Sequence, residues 1–162
     1  MPLSFDDRAQ LTTFLNHARA TVVWKCSGIS EELAHATPLP ASPLMSIASV
    51  VNHLRWDENG WFTVNLLGEP DTSPFSGEDP DEEFRVAAGI PLAQIVADYA
   101  AECARSDLAI ASVPLETPLK YTRRNGFRPD LRWTILHMID ETARHNGHLD
   151  ILREMADGAT GY

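Results

Sequence analysis

The sequence predicts an all-α protein built as a four-helix bundle. Three observations point there. Four long stretches repeat apolar residues at helical spacing, cap and stop residues bracket them, and no segment combines strand-type alternation with freedom from breakers. At 162 residues with 44% apolar content, the chain is the size of one domain that can close a core, so residues 1–162 are read as a single domain.

The first helix is expected to follow "SFDD", where Ser4 is positioned as a cap with Asp7 three residues on. Leu11, Phe14, Leu15, Ala18, Val22 and Cys26 then recur at helical spacing until Gly28. "GISEEL" reads as a short helical turn, and "ATPLPASP" as a Pro-rich connection whose Pro43 suits the first turn of the next helix. That second long helix is expected from about Pro43 to Leu67, with Met45, Ile47, Val50, Val51, Leu54, Trp61 and Leu66 as apolar contacts. The acidic stretch "GEPDTSPFSGEDPDEEF" reads as a long loop. A third long helix starts at Pro91 and takes "PLAQIVADYAAECARSDLAIASV", while breakers throughout "PLETPLKYTRRNGFRPD" make it a loop. The last helix runs from a cap at Asp130 to Asp157, with Gly158 as its stop. No internal repeat is present.

Charge and composition exclude some classes of function. A net charge of −10 opposes non-specific binding to nucleic acid or to an anionic membrane, the basic run "KYTRRNGFR" being a local exception. No apolar run reaches membrane-spanning length and no signal-like start is present, so a cytoplasmic protein is expected. Cys26 and Cys103 fit no CxxC pattern and read as two buried free thiols.

The last helix poses the chemical question. Among Trp133, Ile135, Leu136, Met138, Ile139, Leu149 and Leu152, the segment "DETARHNGH" inserts Glu141, His145 and His148. At about 100° per residue, Glu141 and His145 lie one turn apart on one face, and His137 and His148 fall on the same stripe. Four ionisable groups along a core-flanking stripe are costly to bury unless something binds them, and a divalent cation answers that need. A second helix has to contribute a ligand. His53, among Val50, Val51 and Leu54, is the histidine of the second long helix. Two imidazoles and a carboxylate with one position open match a catalytic rather than a structural zinc site. The same residues have plainer readings: His53 as a core-edge histidine bonded to a carbonyl, Glu141 and His145 as a helix-stabilising pair.

"MSIASVVNHLRWDENGWF", "VVWKCSGISEELAHATPLPASPL" and "LRWTILHMIDETARHNGHLDILREMADGATG" together resemble the DinB-like metal-binding bundles, and within them the actinobacterial mycothiol-dependent branch of S-transferases and maleylpyruvate isomerase-like proteins. The resemblance covers nearly the whole chain and is weakest in the acidic loop and the third long helix. It implies a DinB-like four-helix bundle with long crossover loops, and a metal held by His53, Glu141 and His145, Glu standing where the wider family has a first His of an HxxxH pair. "RHNGH" matches the family's Arg-His-x-Gly-His pattern.

The resemblance further implies a zinc-dependent thiol S-transferase that uses mycothiol as thiol donor to an electrophilic small molecule, with Ni2+ or Fe2+ as other candidate metals. Residues expected to take part in catalysis are His148, Arg144 and Asp57. Residues expected to contact the cosubstrate are Arg144, Trp56, Trp61 and Glu58. His148 is open between fourth ligand, proton shuttle and a partner behind the ligands, the last being preferred because it leaves a position open. Asp57 and Glu58 either orient a metal-bound His or face solvent. Trp56 and Trp61 are packing residues at the bundle mouth or a wall for an apolar electrophile. His137 reads as a core-edge residue with an accessory metal role as the alternative, and His17 and His35 as surface residues. The competing functions are a mycothiol-dependent isomerase, a zinc-water hydrolase and a non-catalytic metal-binding stress protein. Bundles that this chain resembles often pair through helix faces, so the resemblance leaves a homodimer open, and the sequence does not fix the oligomeric state.

Overall fold

The computed structural model describes residues 6–75, 78–79, 81–122 and 126–161. Among these residues the chain forms α1 (Asp7–Lys25), α2 (Glu31–His35), α3 (Ile47–Glu58) continued by a π-helical segment (Asn59–Leu67), α4 (Glu82–Ala87), α5 (Leu92–Ser112) and α6 (Leu131–Asp157). No strand occurs among them; one isolated antiparallel bridge joins Pro118 to Asp130 inside the loop before α6.

Local chemistry sets the helix ends. The Asp6 carboxylate accepts from the Ala9 N–H and caps α1; the expected cap at Ser4 lies outside the described residues. The second long helix begins later than Pro43, because Ser46 and Ser49 form a reciprocal cap: the Ser46 N–H donates to Ser49 Oγ at 2.8 Å and the Ser49 N–H to Ser46 Oγ at 3.0 Å. Residues 42–45 are thereby left as irregular backbone against the bundle. Asp130 caps α6 by accepting from the Trp133 N–H at 2.8 Å, and Gly158 ends it at a φ of 76° that favours glycine. The acidic stretch is not all loop. Its end folds as α4, with Glu82 and Glu83 in the first turn, where carboxylates complement the helix dipole.

The direction of the helices is read from paired residues. Arg55 pairs with Asp98 at 2.9 Å, and the Asn59 amide donates to Glu102 at 3.0 Å, so α3 with its π continuation runs parallel to α5. Arg132 pairs with Asp7, and the Arg153 guanidinium donates to the Lys25 carbonyl, so α1 and α6 are also parallel. Two parallel pairs set antiparallel to each other make the bundle, and the chain crosses back along it between residues 68 and 91.

Two apolar clusters fill the interior. One gathers Val22, Ile47, Val51, Leu54, Ile95 and Leu149; the other gathers Leu15, Phe62, Leu66, Ile110, Ile135 and Met138. Arg19 and Glu58 form a buried polar bridge between α1 and the end of α3, with bidentate contacts of 2.7 and 2.6 Å, and Arg19 extends to Asp107 on α5 at 2.7 Å. Burial works against the Arg19 charge, but Glu58 outweighs it and holds the guanidinium protonated. Phe14 and Leu136, expected in the core, are 57% and 52% exposed, because the packed stripes of α1 and α6 are narrower than their apolar patterns.

Breaking the Arg19–Glu58 pair removes the buried bidentate partner of Arg19 and leaves it only the half-exposed Asp107; loss of one partner of a buried pair typically costs up to about 3–5 kcal/mol. Glu58→Gln should lower stability by that order in urea unfolding while leaving metal content unchanged. Loss of metal at full stability would instead place Glu58 at the metal site.

Candidate metal centre

His53 projects from α3, and Glu141 and His145 project from α6 one turn apart. Their donor atoms lie within 4.8 Å of one another. His145 Nε2 is 3.1 Å from Glu141 Oε1, His53 Nε2 is 3.7 Å from the same oxygen, and the two imidazole centroids are 4.7 Å apart. All three side chains are partly buried. Two imidazoles and one carboxylate converging from two helices could hold a divalent ion of the zinc type, which needs donors from more than one direction.

A residue absent from the sequence reading completes the arrangement. Glu83, on α4, accepts from His53 Nδ1–H at 2.9 Å. The same short helix is fixed at that point by the Asn52 amide, which donates to the Glu83 carbonyl at 2.9 Å, and by Phe84, stacked on the His53 ring at 5.4 Å. A carboxylate on Nδ1 sets the ring's orientation and directs Nε2 toward Glu141 and His145. The acidic pair in "DEEF" could have hinted at an N-terminal helical turn, but its meeting with His53 depends on the path of the crossover.

Electrostatics distinguish the two imidazoles. Burial lowers the His53 pKa, but the bond to Glu83 and the charges of Asp57, Glu83 and Glu141 outweigh it and push His53 up to about 9. His145 is lowered by burial and by the His53 charge, against the opposing pull of Glu141. Burial pushes Asp57 up to about 6, neighbouring carboxylates adding to the effect against His53. Glu141 is lowered: burial opposes ionisation, and the positive charge and hydrogen bond of His145, with His53, overcome it.

The remaining candidates separate. Asp57 reaches His53 Nε2 at 3.2 Å and stands at the site. Glu58 does not. It follows His53 by about 140° around the helix whereas Asp57 follows by about 40°, and its carboxylate is fully buried against Arg19, away from any cosubstrate. His148 Nδ1 lies 3.3 Å from His145 Nδ1, on the side of that ring away from Glu141 Oε1. It is outside the three-donor group. His137 stacks on Trp133 at 5.0 Å and meets Trp61 edge-on at 4.7 Å, forming an aromatic group with Tyr121 and Phe127. Trp56 packs edge-on against Phe75 and under Arg55. Arg144 is exposed, as is His17; His35 is only partly so and pairs with Glu31 at 3.0 Å. Cys26 is buried and Cys103 half-buried, both free thiols pushed up to about 12 by burial.

A cleft of about 270 Å3 opens beside the donor group, with His145 in its wall. Its apolar lining comes from Pro43, Leu44, Met45, Val50 and Phe84. The wall beside the donors is therefore built by the Pro-rich connection and by α4, and neither Trp56 nor Trp61 belongs to it.

The family profile described as mycothiol-S-transferase matches residues 10–158. The chain belongs to the mycothiol S-transferase family. Two solved structures share the fold of this family member: the mycothiol-dependent maleylpyruvate isomerase, with TM-score 0.65 and 13% identity, and a His-to-Ala variant of a mycothiol-dependent maleylpyruvate isomerase, with TM-score 0.66 and 12% identity. Each alignment covers 88% of this chain, which spans 60% of the length of those structures. No curated protein matches the sequence. No helix is long and apolar enough to cross a membrane among the described residues.

Metal affinity should track two variables. His53→Ala and His145→Ala should lose most bound zinc by elemental analysis, and His17→Ala should retain it. Because His53 carries a proton below about pH 9, binding at neutral pH must displace it, so affinity should rise with pH up to that value with release of about one proton per ion. Titrations in buffers of different ionisation enthalpy check this; no proton release would remove His53 from the ligand set.

Glu83→Gln keeps the shape but not the charge. It should weaken zinc affinity by about 10–100-fold, read by competition with a chelating dye, with little change in thermal stability of the metal-free protein.

Proposed function

We propose that this chain is a metal-dependent S-transferase that uses mycothiol as thiol donor to a small electrophile. The observation that carries this reading is the His53, Glu141 and His145 group beside an apolar cleft, in a member of the mycothiol S-transferase family. Zinc is the ion that best suits the donor set, with nickel and iron as the other candidates, and when bound it supplies the Lewis acidity that lowers the pKa of a thiol.

The chain's own residues do the rest. Glu83 holds the His53 ring by Nδ1, and His148, beside His145 Nδ1, restrains the second imidazole and stands where it can pass a proton outward. Asp57, beside His53 Nε2, is placed to take the thiol proton. Neither Cys26 nor Cys103 serves as the nucleophile, since burial keeps both thiols protonated. The apolar wall of the cleft keeps water from the sulfur and the acceptor carbon. Arg144, exposed and one residue from His145, is suited to a polar group of the thiol donor. With benzyl chloride as acceptor, a carbon–sulfur bond forms, the carbon–chlorine bond breaks, chloride leaves with the bonding pair and the thiol proton passes to solvent.

A second reading is favoured by the fold shared with the mycothiol-dependent maleylpyruvate isomerase: isomerisation that regenerates the thiol. Thiol balance separates the two. Zinc-loaded protein should consume mycothiol one-for-one with benzyl chloride well above the uncatalysed rate, and His145→Ala should abolish the excess. Mycothiol binding without consumption of thiol by any acceptor, together with isomerisation of maleylpyruvate, would establish the second reading; no mycothiol binding would end both.

A further inference from the structure

The cleft beside His145 has a composition and a charge setting that select the acceptor. Its apolar wall, Pro43, Leu44, Met45, Val50 and Phe84, presents no charged group, and its polar edges are Ser42, Asp81 and His145. Among the described residues that line it, the one with a full charge is thus a carboxylate. The nearest cation on α4, Arg85, is occupied by Asp79 and lies 4.0 Å from Asp81. Behind the cleft, Asp57, Glu83 and Glu141 surround His53. In the metal-free protein, carboxylates around the cleft outnumber the cations that could receive an anionic substrate.

Size adds a second limit. At about 270 Å3 the cleft is near the lower end of small-molecule sites, which begin at about 300 Å3. It has room for one small organic molecule within its apolar wall.

We infer that this cleft is the acceptor subsite and that it takes a small, uncharged, apolar electrophile, of the size and polarity of a benzyl halide, in preference to a carboxylate such as a keto-dicarboxylic acid. This rests on the S-transferase reading for the chemistry but not for the binding. Phe84 and Met45 supply contact area, Leu44 and Pro43 supply the outer wall, and the acidic surroundings exclude anions. The device that holds Glu83 on His53 also sets Phe84 in the cleft wall, so the acceptor sits beside the donor group.

The test separates binding from turnover. Benzyl alcohol and benzoate, unreactive and matched in size, are titrated into metal-free and zinc-loaded protein while amide and methyl resonances are followed by NMR. Benzyl alcohol should shift Leu44, Met45, Val50 and Phe84 in both forms, and in the metal-free form benzoate should bind at least about tenfold more weakly, because carboxylates surround the cleft; the zinc-loaded form reads how far an open metal position offsets that preference. Leu44→Arg places a cation in the wall and should reverse that preference; Phe84→Ala should weaken benzyl alcohol without unfolding the bundle. Equal or tighter binding of benzoate by the unaltered metal-free protein, or shifts elsewhere, would overturn the inference. In turnover, benzyl chloride should be conjugated faster than 4-(chloromethyl)benzoate. Equal rates would overturn the specificity and leave S-transfer standing, whereas cleft binding of benzyl alcohol with no thiol consumption would leave the subsite standing and overturn S-transfer.

Discussion

Because α3 and α5 lie side by side and run in the same direction, the chain between them has to travel back along the bundle before α5 can begin. A tight turn cannot make that connection. The end of the returning segment folds as α4 against α3, with Glu83 against His53 and Phe84 against the same ring. The arrival is not loosely placed. Asn52, adjacent to His53, holds the Glu83 carbonyl, and Glu31 on α2 accepts the Leu92 N–H at 2.9 Å where α5 starts. One topological requirement therefore supplies the outer partner of a candidate ligand, one wall of the cleft and the entry into the next helix.

The helix that carries His53 has a second task on its other side. Glu58 must reach Arg19 in the interior while His53 faces α6, and the two positions differ by more than a third of a turn. Directly after Glu58 the helix widens into the π-helical segment Asn59–Leu67, which ends at Gly68 with φ 77°. Gly68 is held there by more than its dihedral: a Cβ would lie 3.0 Å from Lys120 Cγ, and the Lys120 N–H donates to the Asn65 carbonyl at 2.7 Å. π-Helical turns are uncommon and often occur at functional sites. Here the wider turn follows the buried pair and leads into the cluster of Phe62 and Leu66, so the polar layer around Arg19 joins the two apolar clusters through one continuous helix.

Much of this was legible in the residues. Asp130 and Gly158 marked α6 because a capping carboxylate and a left-handed glycine have direct local consequences, and Glu141 with His145 followed from the helical period alone. The sequence leaves Asp57 and Glu58 open and the resemblance puts Glu58 at the cosubstrate, although an angle of about 40° keeps Asp57 beside His53 and about 140° sends Glu58 away. Other features were not legible. The start of α3 was displaced from Pro43 to Ile47 because the serine pair forms a better cap than the proline provides, and that displacement frees residues 42–45 to line the cleft. Glu83 lies 30 residues from His53, and no periodicity links them; only the crossover path does. The π-helical register leaves no mark in the apolar pattern, which reads equally well as α-helix over that length.

The same crossover creates an electrostatic problem that argues for a cation at the site. Asp57, Glu83 and Glu141 all approach His53, at 3.2, 2.9 and 3.7 Å. In the metal-free chain a proton on His53 offsets one of the three charges, which is why that imidazole is pushed up to about 9, while Asp57 is still left at about 6. A helix-stabilising pair of Glu141 and His145 explains none of this, since it needs neither Asp57 nor Glu83. A divalent ion with both imidazoles neutral offsets two charges and leaves His53 Nδ1–H bonded to Glu83. His145, lowered by burial and by the His53 charge, gives up a proton more readily than a free imidazole. The two histidines thus stand differently in one candidate ligand set: a carboxylate holds one by Nδ1, while burial and a neighbouring charge disfavour a proton on the other.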